Sequence, residues 1–94
     1  IVDYTKAIAI TPESANAYYN RGLCFEKRLE HDDAIRDFNS ALVYKNDDPR
    51  IYNARGLSLV EKGNFSGAEA DYKKAIQLDP NYQQAYFNLG TLYE

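Results

Sequence analysis

Ninety-four residues with a net charge of −3, 45% apolar and 27% charged side chains, describe one small folded unit rather than a disordered tail. The acidic balance argues against nucleic acid or an anionic membrane surface as the main partner, and no apolar run approaches the roughly 20 residues that span a bilayer. A single cysteine, Cys24, permits no internal disulfide, which fits the cytoplasm or another reducing intracellular compartment.

Apolar residues recur at helical spacing throughout, and no stretch alternates like a half-buried strand, so an all-α fold is expected. The first predicted helix covers about 1–10, with Tyr4, Ala7 and Ile8 on one stripe and Pro12 closing it. Ser14 is a ready N-cap for the second, about 15–28, whose stripe is Tyr18, Gly22 and Phe25 with Arg21 beside it. The third covers about 32–44 and carries Ala34, Phe38, Ala41 and Leu42. Asp48 caps the fourth, with Pro49 at its first position, where a missing N–H costs nothing. That helix ends near Lys62, and Gly63 supplies a left-handed turn. Asn64 caps the fifth, about 65–78, and Asp79-Pro80-Asn81 stops it. A sixth covers about 82–94.

These helices repeat. Tyr18-x-x-Arg21-Gly22-x-x-Phe25 returns 34 residues later as Tyr52-x-x-Arg55-Gly56-x-x-Leu59, and again as Tyr86-x-x-Leu89-Gly90-x-x-Tyr93. Ala34-x-x-x-Phe38-x-x-Ala41 returns as Ala68-x-x-x-Tyr72-x-x-Ala75, and Tyr4-x-x-Ala7 stands one period earlier. A fixed period of this size predicts stacked helical hairpins that bind along their length. Within a hairpin Gly22 is expected to face Ala34 and Gly56 to face Ala68, with the Phe38 and Tyr72 rings opposite Tyr18 and Tyr52. Arg21 and Arg55 recur with Asp3, Asp37 and Asp71, which reads as ion pairs stitching helices rather than as an anion site. The spacing leaves open whether Arg21 pairs with Asp37 of its own repeat or with Asp3 of the preceding one.

The aromatic, Gly, Ala, aromatic, Ala order in this register resembles the tetratricopeptide repeat, over the whole chain. The repeats divide as a half at 1–14, full units at 15–48 and 49–82, and a half at 83–94. Tyr stands where the family usually has Trp, Arg21 and Arg55 where Leu is common, and Asn46 where a Pro closes the repeat. The resemblance implies a right-handed superhelical solenoid of antiparallel helix pairs, whose concave wall is the first helix of each pair. Carried onto this chain, the concave positions are Asn16, Tyr19, Asn20, Leu23 and Lys27, then Arg50, Asn53, Ala54, Leu57 and Glu61, then Gln84, Phe87, Asn88 and Thr91. Positions 16, 19, 20, 23 and 27 also share one helical face, opposite to Gly22. Amides and aromatics together suit an extended peptide, whose backbone needs partners and whose side chains need pockets. Some relatives clamp the C-terminal carboxylate of heat-shock chaperones with two Lys, two Asn and one Arg. Those positions hold Tyr19, Leu23, Ala54, Gln84 and Asn88 here, without one cation, so chaperone-tail binding is not expected. Read half a repeat earlier, Asn20 and Arg50 fit the clamp but Ala54 replaces its Arg.

Nothing in the pattern points to catalysis or to a cofactor. His31 reads as a packing or capping group, and Glu30-His31-Asp32-Asp33 as an acidic helix start, not a metal site, because consecutive residues point different ways. Cys24 shares its repeat position with Ser58 and Leu92 and is expected to be a buried small residue. No Ser/His/Asp arrangement, CxxC or Gly-rich phosphate loop is present. The chain opens at Ile1 in mid-repeat and reads as a piece of a longer one. Ile1, Ile8, Leu89, Leu92 and Tyr93 look uncovered, which predicts further repeats or self-association. The expected function is a non-catalytic scaffold for a protein or peptide partner, the alternatives being a recruiting region of a larger enzyme or a self-assembly element.

Overall fold

A computed structural model describes residues 14–93, which form five α-helices and, among these residues, no strand. They are α1 (Ala15–Lys27), α2 (His31–Tyr44), α3 (Pro49–Glu61), α4 (Phe65–Leu78) and α5 (Gln83–Tyr93). The predicted first helix, with Tyr4, Ala7 and Asp3, lies outside the described residues. Local chemistry starts the helices where the sequence places the caps. Ser14 Oγ accepts from the Ala17 N–H at 3.2 Å, and Asn64 Oδ1 from the Gly67 N–H at 3.0 Å. Asp48 Oδ1 accepts from the Arg50 N–H at 3.0 Å, with Pro49 in the first turn.

The chain folds into the hairpins α1–α2 and α3–α4, with α2 packed on α3 and α4 on α5, the serial contact pattern of a solenoid. Both hairpin turns use one device. The Glu30 N–H reaches back to the Phe25 carbonyl at 2.9 Å, and one period later Asn64 reaches Leu59 at 2.8 Å. Each turn needs a left-handed residue. Gly63 takes φ 82° without penalty, but at the matching position Leu29 takes φ 60°, which the sequence did not foretell.

The core is built from small residues around a few large ones. Ala34, Phe38, Ala41, Ile51 and Ala54 form one buried cluster, and Ala68, Tyr72 and Ala75 repeat its hairpin part in the second hairpin. The expected facing of glycine and alanine is corrected here. A Cβ on Gly22 would lie 2.6 Å from Phe38 Cε1, and one on Gly56 would lie 2.6 Å from Tyr72 Cε1. The glycines are therefore notches for the large rings, whose atoms stand nearer to them than any of Ala34 or Ala68. The ring that lies closest to Phe38 is that of Tyr19, with Tyr18 also packed against the cluster. Phe38 tilts against Tyr19 at 6.1 Å, while Tyr18 stacks on Tyr44 at 6.1 Å and 13°. Side chains tilt toward the N-terminus of their own helix, which offsets the meeting point of antiparallel partners from a simple count of turns.

Candidate functional site

Helices α1, α3 and α5 lie in a row, α1 touching α3 and α3 touching α5, and the residues singled out as a binding face fall along it. Asn16, Lys27, Arg50, Leu57, Glu61, Gln84, Phe87 and Thr91 are exposed, and Tyr19, Asn20, Leu23 and Asn88 are half-buried. Asn53 and Ala54 differ from the expectation, with exposures of only 5% and 7%. Ala54 belongs to the core cluster, and Asn53 is closed over by the next helix. Asn88 Nδ2 donates to Asn53 Oδ1 at 2.9 Å. The amide at position 53 serves the joint between α3 and α5, because a buried amide must find partners.

At the N-terminal end of α3, the middle helix of the row, a single carboxylate organises the charge. Asp48 accepts from Arg50 Nε at 3.1 Å on Oδ1, and from the second guanidinium nitrogen at 2.7 Å on Oδ2. The guanidinium lies 5.1 Å from the centre of the Tyr19 ring. These hydrogen bonds from Arg50 hold the Asp48 carboxyl below its ordinary 3.8, against the opposing effect of burial. Burial pushes the Tyr19 phenol up, with Arg50 pulling it back. The positive charge of Arg50 is thus already balanced, and an incoming carboxylate would have to compete with Asp48 for it.

Asp48→Ala should destabilise the chain by about 1–2 kcal/mol through loss of the cap and the ion pair. The carboxyl titrates lower in the folded chain than in the unfolded one. Its contribution is therefore full above pH 3.8 and fades as pH falls through the folded value. Urea unfolding at stepped pH should show the gap between wild type and variant closing in acid; a gap that persists there would disprove the assignment.

Arg21 and Arg55 each pair with the aspartate of their own repeat, while Asp3, the other partner open to Arg21, lies outside the described residues. Arg21 donates twice to Asp37, Nε and a terminal nitrogen each at 2.7 Å, and Arg55 donates twice to Asp71, at 2.8 and 2.7 Å. Both pairs lie within their own hairpin. Arg55 also donates to Asn39 Oδ1 at 2.9 Å, reaching the hairpin before it. The aspartates are almost fully buried and the arginines mostly so, the arrangement of a bidentate structural clamp.

Sequence reasoning missed a polar link between the hairpins. Ser58, fully buried, donates to Glu26 Oε2 at 2.6 Å, and His31 Nδ1 lies 2.8 Å from Glu26 Oε1 without the alignment of a hydrogen bond. His31 is thus a packing neighbour of an acid, in keeping with its reading as a structural group. Cys24, expected to be buried, is only half-buried. One period on, the positions of Glu26, His31 and Ser58 hold Val60, Phe65 and Leu92. There a cleft of about 300 Å³ opens, lined by these three and by Leu57, Glu61, Tyr72, Asn88 and Thr91. The signal that could have found it was a repeat position changing from polar to apolar in three places at once. Among the described residues no cluster of His, Cys, Asp and Glu is placed to hold a metal, and no helix is long and apolar enough to cross a membrane.

A family model described as a TPR repeat matches residues 1–28 and 56–94, and another, the tetratricopeptide repeat, matches 15–47. Among solved structures, the Arabidopsis OM64 TPR domain is similar with a TM-score of 0.92 and 27% identity, over 95% of this chain and 74% of that one. The second TPR domain of human RPAP3, in complex with an HSP70 peptide, gives 0.93 at 23% identity, over 97% and 76%. The first TPR of Spaghetti (RPAP3), bound to an HSP90 peptide, gives 0.93 at 23% identity, over 96% and 71%. At these lower identities the last two speak for the fold alone.

Proposed function

Because the chain belongs to the tetratricopeptide repeat family, we propose that it is a non-catalytic scaffold binding a peptide or a helix along the row α1, α3, α5. The observation that carries this reading is one exposed strip holding both large apolar groups and free amides. Phe87 is 72% and Leu57 40% exposed, with Asn16 and Gln84 exposed beside them. Amides can pair with a peptide backbone while the apolar side chains supply anchoring area. Two fold neighbours hold chaperone peptides, so a fold of this shape can seat a peptide. The chemistry of this chain's cargo is expected to differ from theirs. The clamp positions hold Tyr19, Leu23, Ala54, Gln84 and Asn88, and the arginine of the face, Arg50, is engaged by Asp48.

A triple variant of exposed residues tests this, with Asn16, Gln84 and Phe87 each changed to alanine. Cross-linking capture from a lysate should lose its wild-type partners by roughly tenfold or more, while helical content stays unchanged. Should every captured protein survive the triple change, the face has been assigned wrongly.

A further inference from the structure

The cleft between α3, α4 and α5 sharpens that reading, on which the following inference rests. Its walls are Leu57, Val60, Phe65 and Leu92, with Asn88 and Thr91 on the α5 side and Glu61 at its edge. Leu57, Glu61 and Thr91 also belong to the exposed strip, so the cleft is continuous with the candidate binding face. One period earlier the same three positions are closed by the Ser58–Glu26 hydrogen bond and the His31 contact. Here Val60, Phe65 and Leu92 cannot make such bonds, and apolar surface is left open to solvent, with Phe65 57% exposed. At about 300 Å³ it stands at the lower end of the roughly 300–1,000 Å³ of small-molecule pockets, which suits one bulky side chain.

The charge at the cleft discriminates further. Glu61 takes part in none of the ion pairs found among the described residues, and its neighbour Lys62 is turned to Asp32 at 3.1 Å. A carboxylate free at the edge of an apolar cleft favours a cation beside the apolar group and disfavours an acid there. We propose that this cleft is the anchor subsite of the groove, taking a leucine- or phenylalanine-sized side chain of a peptide that carries lysine or arginine next to it. Asn88 Nδ2 already donates to Asn53 and Thr91 Oγ1 to the Phe87 carbonyl, which leaves Asn88 Oδ1 and Thr91 Oγ1 to accept from peptide N–H groups at the same point.

The test uses isotope-labelled protein and short synthetic peptides on a Gly/Ser background. One carries Leu beside Lys, a second Leu beside Glu, a third Ala beside Lys. The Leu–Lys peptide should shift the amide resonances of Leu57, Thr91 and Leu92 saturably. At low salt it should bind about fivefold tighter than Leu–Glu, and about tenfold tighter than Ala–Lys. Glu61→Lys, at an exposed position that leaves the fold intact, should invert the preference between Lys and Glu peptides. Equal affinity for the two, or an Ala peptide as good as the Leu one, would overturn the proposal. Shifts confined to Asn16, Asn20 and Gln84 would remove the anchor and keep the groove. If no resonance moved, the anchor would again be lost, and the capture experiment would decide the groove independently.

Discussion

A leucine at Gly56 should lower the stability of the chain by about 3 kcal/mol, whereas a leucine at Gly90 should leave it unchanged or raise it by up to about 1 kcal/mol. Both glycines sit inside helices at the same repeat position, so the gain in helix propensity on replacing glycine is common to both. The difference between the variants therefore isolates packing. A Cβ at 56 would lie 2.6 Å from the Tyr72 ring, and nothing stands within 4 Å of one at 90. Tyr72 is 1% exposed, and burial first, with the charges of Asp71 and Glu61, pushes its phenol up to about 12. Overpacking such a site forces backbone or rotamer strain, which places the cost at the upper end of the usual range. Circular dichroism in a urea titration reads both values. Coincident midpoints for the two variants would show that the Tyr72 notch contributes little.

Arg55→Ala should also cost about 3 kcal/mol, and more than Asp71→Ala. The asymmetry follows from solvent access. The Asp71 side chain is 6% exposed, so removing Arg55 strands a carboxylate that water cannot reach. The Arg55 side chain is 25% exposed, so after removal of Asp71 its guanidinium can still turn partly to water and to Asn39. The double variant should be more stable than the Arg55 single variant, because no buried charge is left behind. A double-mutant cycle should find strong coupling of Arg55 with Asp71 and little with Asp37, which is held by Arg21. Zero coupling with Asp71 would sink the clamp. In α5 Leu89 takes the arginine's place, so the clamp does not recur there.

The same contrast between copies bears on function. Packing positions recur because each hairpin solves the same steric problem, as Gly22 with Phe38 and Gly56 with Tyr72 do. Positions that change between copies divide into two kinds. Some, such as Asn53 against Asn88, serve the joints between helices. Others, such as Asn16, Arg50 and Gln84, stay at the surface. Variation alone does not mark a contact with cargo; exposure has to be added to it.

Helix limits, caps and the hairpin order were legible in the sequence because they depend on residues within one or two turns. Ser14, Asp48-Pro49 and Asn64 act on their own helix starts, and the 34-residue period carries the rest. Spacing also revealed that arginines and aspartates pair, and that glycines mark close approach. It did not reveal which partner each one meets. That Gly22 receives the Phe38 ring, that Arg21 takes Asp37, that Asn53 is buried under Asn88 and that Ser58 reaches Glu26 all depend on the offset and tilt between neighbouring helices. No residue sets that offset alone; it emerges when all the side chains of an interface are packed together. The sequence by itself determined the repeat, its helices and their caps, through short-range steric and hydrogen-bonding rules. Only the tertiary structure decided the partners, the buried amide and the open cleft, because those are properties of how helices meet.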